Sequence, residues 1–164
     1  VSLLNDCKYG HSALDGVMTL TLIKSGIEPN PTADQEEHTF TYALYPHAEG
    51  WRQANTVQEA MKLNQPLLSE EGGQAGCQNS FVWVDKSNVI IETVKMAEDD
   101  DGIIVRLYES ENAKTKAHIF FGEKISSVES CNCLEEIKQT IETDGEGFEI
   151  TVKPYEIQTY RVRF

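Results

Sequence analysis

Asn5-Asp6-Cys7-Lys8-Tyr9-Gly10-His11 sets an amide, a carboxylate, a thiol, an amine, a phenol and an imidazole side by side, directly behind apolar Leu3-Leu4. Such a run suits two roles. It can be a strand end and turn, with Gly10 supplying a positive φ. It can also be the rim of a ligand site, and then Asn5, Asp6, Lys8 and Tyr9 are the substrate-proximal candidates. Asp99-Asp100-Asp101 could hold calcium. Counted from Asp100, however, the third and fifth loop positions are Gly102 and Ile104, which bring no side-chain oxygen. A solvated hairpin tip ending in Asp-Gly is the plainer reading. Asp34, Glu36, Glu37 and His38 are ligand types ahead of a strand, without a second His at helical spacing. A polar loop is favoured there.

His11, Ser12 and Asp15 are the pieces of a hydrolytic triad, but the chain has no G-x-S-x-G elbow and no Gly-rich phosphate loop. With 27 carboxylates, paired acids arise by chance, and nothing in their spacing places a pair across a cleft. No catalytic residue and no metal ligand is therefore assigned. Cys131 and Cys133 lie two apart in an expected strand and would share a face. With Cys7 and Cys77 they read as free thiols of a reducing compartment, because a lone Cys-x-Cys pair makes a poor zinc site. Tyr42, Tyr45 and Trp51, and Phe81 with Trp83, could stack sugars. In a β-protein such residues are more often core.

The elements that must position these groups are mostly short strands. From Ser80 on, strands are expected at 81–84, 89–97, 103–108, 117–121, 126–134, 148–152 and 157–164. Turn signals every 8–12 residues make this an all-β antiparallel β-sandwich, immunoglobulin-like, with about seven strands. In the last strand Gln158, Tyr160, Val162 and Phe164 are the more apolar set and should face inward. Residues 1–66 offer three strands, at 1–6, 17–23 and 38–45, and a helix at 51–64. With a later start, Asn55 or Thr56 would cap that helix, and Pro66 stops it. These elements are too few to bury both faces of a sheet. The region therefore reads as the end of a larger, incomplete sheet. Residues 67–78, with Gly72, Gly73 and Gly76, read as a linker, and residues 79–164 as the second domain.

The net charge of −13 argues against nucleic acid and anionic membrane as partners. No apolar run is long enough for a transmembrane helix. The chain opens on Val-Ser-Leu-Leu without Met or a visible leader, and reads as a piece of a longer protein. Open strands in residues 1–66 predict self-association of the isolated chain as a homo-oligomer, which the net charge opposes.

Longer stretches carry a family resemblance. They are Leu3-Leu4-Asn5-Asp6-Cys7-Lys8-Tyr9-Gly10-His11, Leu20-Thr21-Leu22-Ile23-Lys24-Ser25, Pro29-x-Pro31-x-Ala33-Asp34-Gln35 and His38-x-Phe40-Thr41-Tyr42-Ala43-Leu44-Tyr45-Pro46-His47. The second half adds Asn88 to Lys95, Asp101 to Glu109, Glu129-x-Cys131-Asn132-x-Leu134-Glu135-Glu136 and Pro154-Tyr155-Glu156-Ile157-x-Thr159-Tyr160. In this order they resemble the C-terminal region of glycoside hydrolase family 38 α-mannosidases, in the subgroup of bacteria and the eukaryotic cytosol.

The resemblance implies a retaining exo-α-mannosidase whose active site lies in an N-terminal α/β barrel. There a divalent metal, usually zinc, binds two His and two Asp, and an Asp is the nucleophile. None of those motifs occurs here, so no cofactor is expected in this chain, and zinc or another divalent metal is expected in the barrel. Residues 1–66 would end a β-supersandwich, and residues 79–164 would be a smaller β-sandwich. The expected partners are the chain's own N-terminal catalytic domain and, through it, mannose-containing glycans; the expected location is cytoplasmic. Three other readings compete. A carbohydrate-binding module would need two or more aromatics exposed on one face. A protein-interaction β-sandwich would bind a separate partner. A self-contained hydrolase lacks its metal and nucleophile.

Overall fold

The structure, a computed structural model, describes residues 1–69, 71 and 80–164. Most of the expected linker, and Cys77, lie outside the described residues. The chain divides into two compact units, Val1–Glu71 and Gly72–Phe164.

In the first unit, β1 (Ser2–Asn5) pairs antiparallel with β4 (Tyr42–Tyr45), and β2 (His11–Leu14) pairs with β3 (Val17–Leu20). Strand β3 falls in the expected strand at 17–23; β2, and the hairpin it forms with β3, was not expected, although its signal is present. Asp15 and Gly16 form a two-residue turn with φ 49° and 77°, the left-handed pair such a hairpin needs. Gly10 departs from expectation in another way. Its φ is not positive; instead a Cβ there would meet the Thr21 side chain at 3.2 Å, where Thr21 N–H donates to the Gly10 carbonyl. Glycine is thus needed for close approach and not for a turn.

The helix α1 spans Thr56–Asn64, shorter than expected, because residues 51–55 form turns. Asn55 sits in the left-handed region at φ 51° and makes no side-chain cap bond. The Thr56 hydroxyl is engaged with Ser2 Oγ at 2.9 Å. Neither residue caps the helix in the expected way. Chain direction changes at Gln65, whose N–H returns to the Met61 carbonyl, one residue before Pro66. Among the apolar side chains described in this unit, Leu4 alone is buried.

The second unit is a two-sheet sandwich with eight strands among the described residues: β5 (Val82–Val84), β6 (Val89–Met96), β7 (Ile103–Glu109), β8 (Thr115–Phe121), β9 (Ser127–Cys131), β10 (Ile137–Ile141), β11 (Gly147–Val152) and β12 (Ile157–Arg163). One sheet runs β10-β9-β12-β7-β6 and the other β11-β8-β5, all antiparallel. The additional strand is β10. Its first four residues are exposed, so it lies at a sheet edge without the apolar alternation that marks a strand in sequence.

Alternation fills the space between the sheets. Val105, Leu107, Val128, Tyr160 and Val162 meet Ala117, Ile119, Phe121, Phe148, Ile150 and Val152 in one buried cluster. Tyr160 and Val162 face inward as expected. The opposite face of β12 is also covered, which was not foreseen: Thr159 and Arg161 are buried. The acidic hairpin is the reason. Arg161 Nη1 donates to Asp99 Oδ2 at 2.7 Å, and Arg163 makes a two-pronged contact with Asp101 at 2.9 and 2.8 Å and reaches Glu129 at 2.7 Å. Asp99 and Asp101 therefore serve as counter-ions over the sheet. Their carboxyls are held below the usual range, by the Arg161 and Arg163 guanidinium groups respectively.

Glu109 locks the end of β7. Fully buried, it accepts from Asn88 Nδ2 at 2.9 Å, Glu111 N–H at 2.8 Å and Tyr155 N–H at 3.0 Å. Burial pushes this carboxyl up, but those donors outweigh it and leave the group below its ordinary value.

Candidate functional site

The four substrate-proximal candidates occupy the turn leaving β1. Asn5 Oδ1 accepts from Lys8 N–H at 2.6 Å, and Asp6 Oδ2 accepts from Thr41 N–H at 2.9 Å. Two of the four polar groups thus hold backbone. Asp6 lies below the usual carboxylate range, chiefly through the Cys7 thiol beside it, which is itself raised by Asp6. Lys8 Nζ stands 4.5 Å above the Phe40 ring. Tyr9 projects outward, 90% exposed. Asn5 also lines a hollow of about 180 Å³ with Leu3, His11, Ser12, Met18 and Thr19.

Other expectations resolve locally. Ser12 Oγ pairs with Thr19 Oγ1 across the hairpin at 2.7 Å, and Asp15 sits in the turn beyond, so His11, Ser12 and Asp15 form no triad. His38 Nε2 bonds the Asp34 carbonyl at 3.0 Å in a polar turn. Cys131 ends β9 and is buried, while Cys133 lies beyond the strand and is exposed, so the two do not share a face. Both, with Cys7, carry free thiols. Among the described residues no group of three metal-ligand side chains converges.

The aromatics depart most from expectation. Tyr42, Trp51, Phe81 and Trp83 are exposed, not core, and Tyr45 is half-buried with its hydroxyl on the Ala54 carbonyl. Phe81 leans on Phe121 and Phe164. Trp83 belongs to a built row on the outer face of the three-stranded sheet. It lies opposite Phe120 in register, and the two rings stack at 5.4 Å, 10° from parallel. His118 follows on the same face of β8, its ring 4.3 Å from Phe120. Gly147 lies opposite Phe120, and a Cβ there would collide with the His118 ring and the Ile119 carbonyl.

Past His118 opens a cavity of about 510 Å³, lined by Thr140, Glu142, Thr143, Asp144 and Glu149 among others. His118 Nε2 stands 3.7 Å from Asp144 Oδ2 and has no hydrogen-bond partner among the described residues. Asp144 is held low by the N–H groups of Glu146 and Gly147, which its Oδ1 accepts at 2.9 and 2.7 Å. His118 and Phe120 were not singled out in the sequence. Their signal was the alternation Lys116, His118, Phe120 along one strand.

The class that the fold defines is the two-sheet antiparallel β-sandwich. Residues 88–160 match the family described as "Glycosyl hydrolases family 38 C-terminal beta sandwich domain". Over these residues the chain belongs to this family and carries its C-terminal sandwich. It is similar to "Alpha-mannosidase G" of Dictyostelium discoideum, 33% identical over 98% of this chain and 16% of that protein. It is also 34% identical to "Alpha-mannosidase 2C1" of Homo sapiens over 82% of this chain and 14% of that protein. "Alpha-mannosidase" of Saccharomyces cerevisiae is 29% identical over 100% of this chain and 17% of its own length. The chain thus spans less than a fifth of the relatives it matches. Among the described residues no helix is long and apolar enough to cross a membrane.

Proposed function

We propose that this chain is the non-catalytic C-terminal β-region of a retaining α-mannosidase that removes terminal α-mannose from glycans in the cytoplasm. Its task is structural: to brace the catalytic domain, its main partner, where zinc or another divalent metal does the chemistry. The observation that carries this reading is the bareness of the first unit. Its four strands bury one apolar side chain, Leu4, although the chain aligns along 98% of its length with a named α-mannosidase. Strands with so little covered surface require more polypeptide against them. Residues 1–66 fit the end of a supersandwich completed by that polypeptide, residues 67–78 a connection, and residues 79–164 the terminal sandwich.

The turn at Asn5, Asp6, Lys8 and Tyr9 is proposed to approach the sugar site of the intact enzyme. Tyr9, exposed at its apex, is the side chain best placed to do so. Unchanged kcat/KM after substitution of all four in the parent would remove this assignment.

The test of the main reading is mannosidase activity of the parent with and without residues 1–164, beside the chain alone. Activity should vanish on deletion, and the chain alone should be inert. Full activity of the truncated parent would overturn the structural role.

A further inference from the structure

We propose that the outer face of the β11-β8-β5 sheet is a binding surface for a neutral oligosaccharide, with Trp83 as its stacking residue. The argument starts at the sheet edge. Because β5 is the last described strand of this sheet, the indole face turned away from Phe120 has no strand beside it among the described residues, and Trp83 is 42% exposed. The stacked Phe120 holds the indole upright, so little rotamer freedom is left to lose on binding. An exposed aromatic face suits the apolar C–H face of a pyranose ring.

The row then runs without a break from Trp83 through Phe120 to His118, which lines the cavity of about 510 Å³. That volume is in the range of small-ligand pockets. Its rim supplies hydroxyls at Thr140 and Thr143 and carboxylates at Glu142, Asp144 and Glu149. Ionised carboxylates only accept hydrogen bonds, and sugar hydroxyls donate them. The same carboxylates, on a chain of net charge −13, repel phosphate-bearing ligands and nucleic acid. The basic groups at this face are matched to acids, Lys116 to Glu149 at 2.8 Å and His118 facing Asp144 at 3.7 Å, so an aromatic face followed by acceptors selects a neutral polyol. A chain of two or three sugars would stack one ring on Trp83 and extend others towards the rim.

The choice of mannose as the sugar rests on the reading of the parent as a mannosidase; the choice of a neutral glycan rests on this face. Binding of an α-linked mannotriose to the 164-residue chain is measured by calorimetry and by ligand-observed NMR. Saturable binding is expected. Trp83→Ala should weaken it at least tenfold, and so should the paired substitution Glu142→Ala with Glu149→Ala. All these side chains lie outside the core, so each variant should unfold at the wild-type temperature. Trp51→Ala, in the other unit, should bind as the wild type does.

Absence of saturable binding by the wild-type chain would overturn the proposal. So would binding that survives both the Trp83 and the paired glutamate substitutions. Mannosidase activity is not measured in this experiment. Its failure therefore leaves the structural role standing, and failure of that role would appear only in the deletion experiment.

Discussion

The two units of this chain use the same material, short antiparallel strands, and differ in what lies behind them. In Gly72–Phe164 each sheet has the other to cover it, and Val105, Leu107, Ile119, Phe148 and Val162 are sealed between them. In Val1–Glu71 the β2–β3 hairpin has no described residue buried on either strand, and Leu14 and Val17 face solvent. Strand pairing alone does not hold a fold; an apolar face buried against a second layer does. The sandwich has a buried core of its own; the first unit, on the reading proposed above, needs further polypeptide against it.

The sharpest way to break this contrast is a cavity in each unit. Phe148 is 1% exposed at the centre of the sandwich. Phe148→Ala should cost about 3–5 kcal/mol in denaturant unfolding followed by tyrosine and tryptophan signals. Leu4→Ala in the isolated chain should leave the midpoint of that transition unmoved. Equal losses would mean the units share one core.

Glu109 comes next. Glu109→Ala leaves the Tyr155 and Glu111 N–H groups and the Asn88 amide without their acceptor, and should cost about 1–3 kcal/mol by thermal unfolding. Its pH dependence has a definite sign. Glu109 is held below its ordinary value of 4.5, so the unfolded chain binds the proton first as pH falls. Its contribution is fully present above 4.5 and is lost as pH drops through the lower folded value. The sandwich should lose midpoint temperature as pH falls below 4.5, and Glu109→Gln should flatten that slope. An unchanged slope in the variant would remove Glu109 as the source.

Two glycines give a smaller, paired test. Gly102 has φ +91°, and a Cβ there would lie 2.6 Å from the Val162 carbonyl oxygen. Gly16 has φ +77° with open space around it. Gly102→Ala should destabilise the sandwich by about 1–3 kcal/mol in denaturant unfolding. Gly16→Ala strains only the exposed hairpin and should leave the same transition in place. Smallest is the acidic hairpin. Asp101→Asn alone weakens the pair with the partly exposed Arg163, which keeps Glu129, and leaves Asp99 on the buried Arg161, so the loss should stay within about 1 kcal/mol and shrink in high salt.

Legibility in the sequence followed the same division. Strands β5 to β9, β11 and β12 were readable because their apolar side chains alternate toward the space between the sheets; this holds even in β12, whose other face is covered by polar Thr159 and Arg161. Strand β10, exposed at an edge, leaves no such trace. The β2–β3 hairpin was announced by Asp15-Gly16, yet β2 and β3 lack a buried face, so only the strand at 17–23 stood out. The outward position of Trp83 was hidden because an exposed stacked indole and a core indole look alike in sequence. What separates them is the edge position of β5, a property of topology. The pairing of Asp99 and Asp101 with Arg161 and Arg163 was likewise out of reach, since the partners are 62 residues apart.

The proposed dependence of the first unit on further polypeptide is tested most directly by amide hydrogen exchange, compared between the isolated chain and the parent protein. Amides of β7, β8 and β12 should exchange slowly and alike in both. Those of β1 to β4 should exchange rapidly in the isolated chain and at least tenfold more slowly in the parent. Protection of β1 to β4 in the isolated chain equal to that in the parent would contradict the account, because the first unit would then stand without the polypeptide it is held to need.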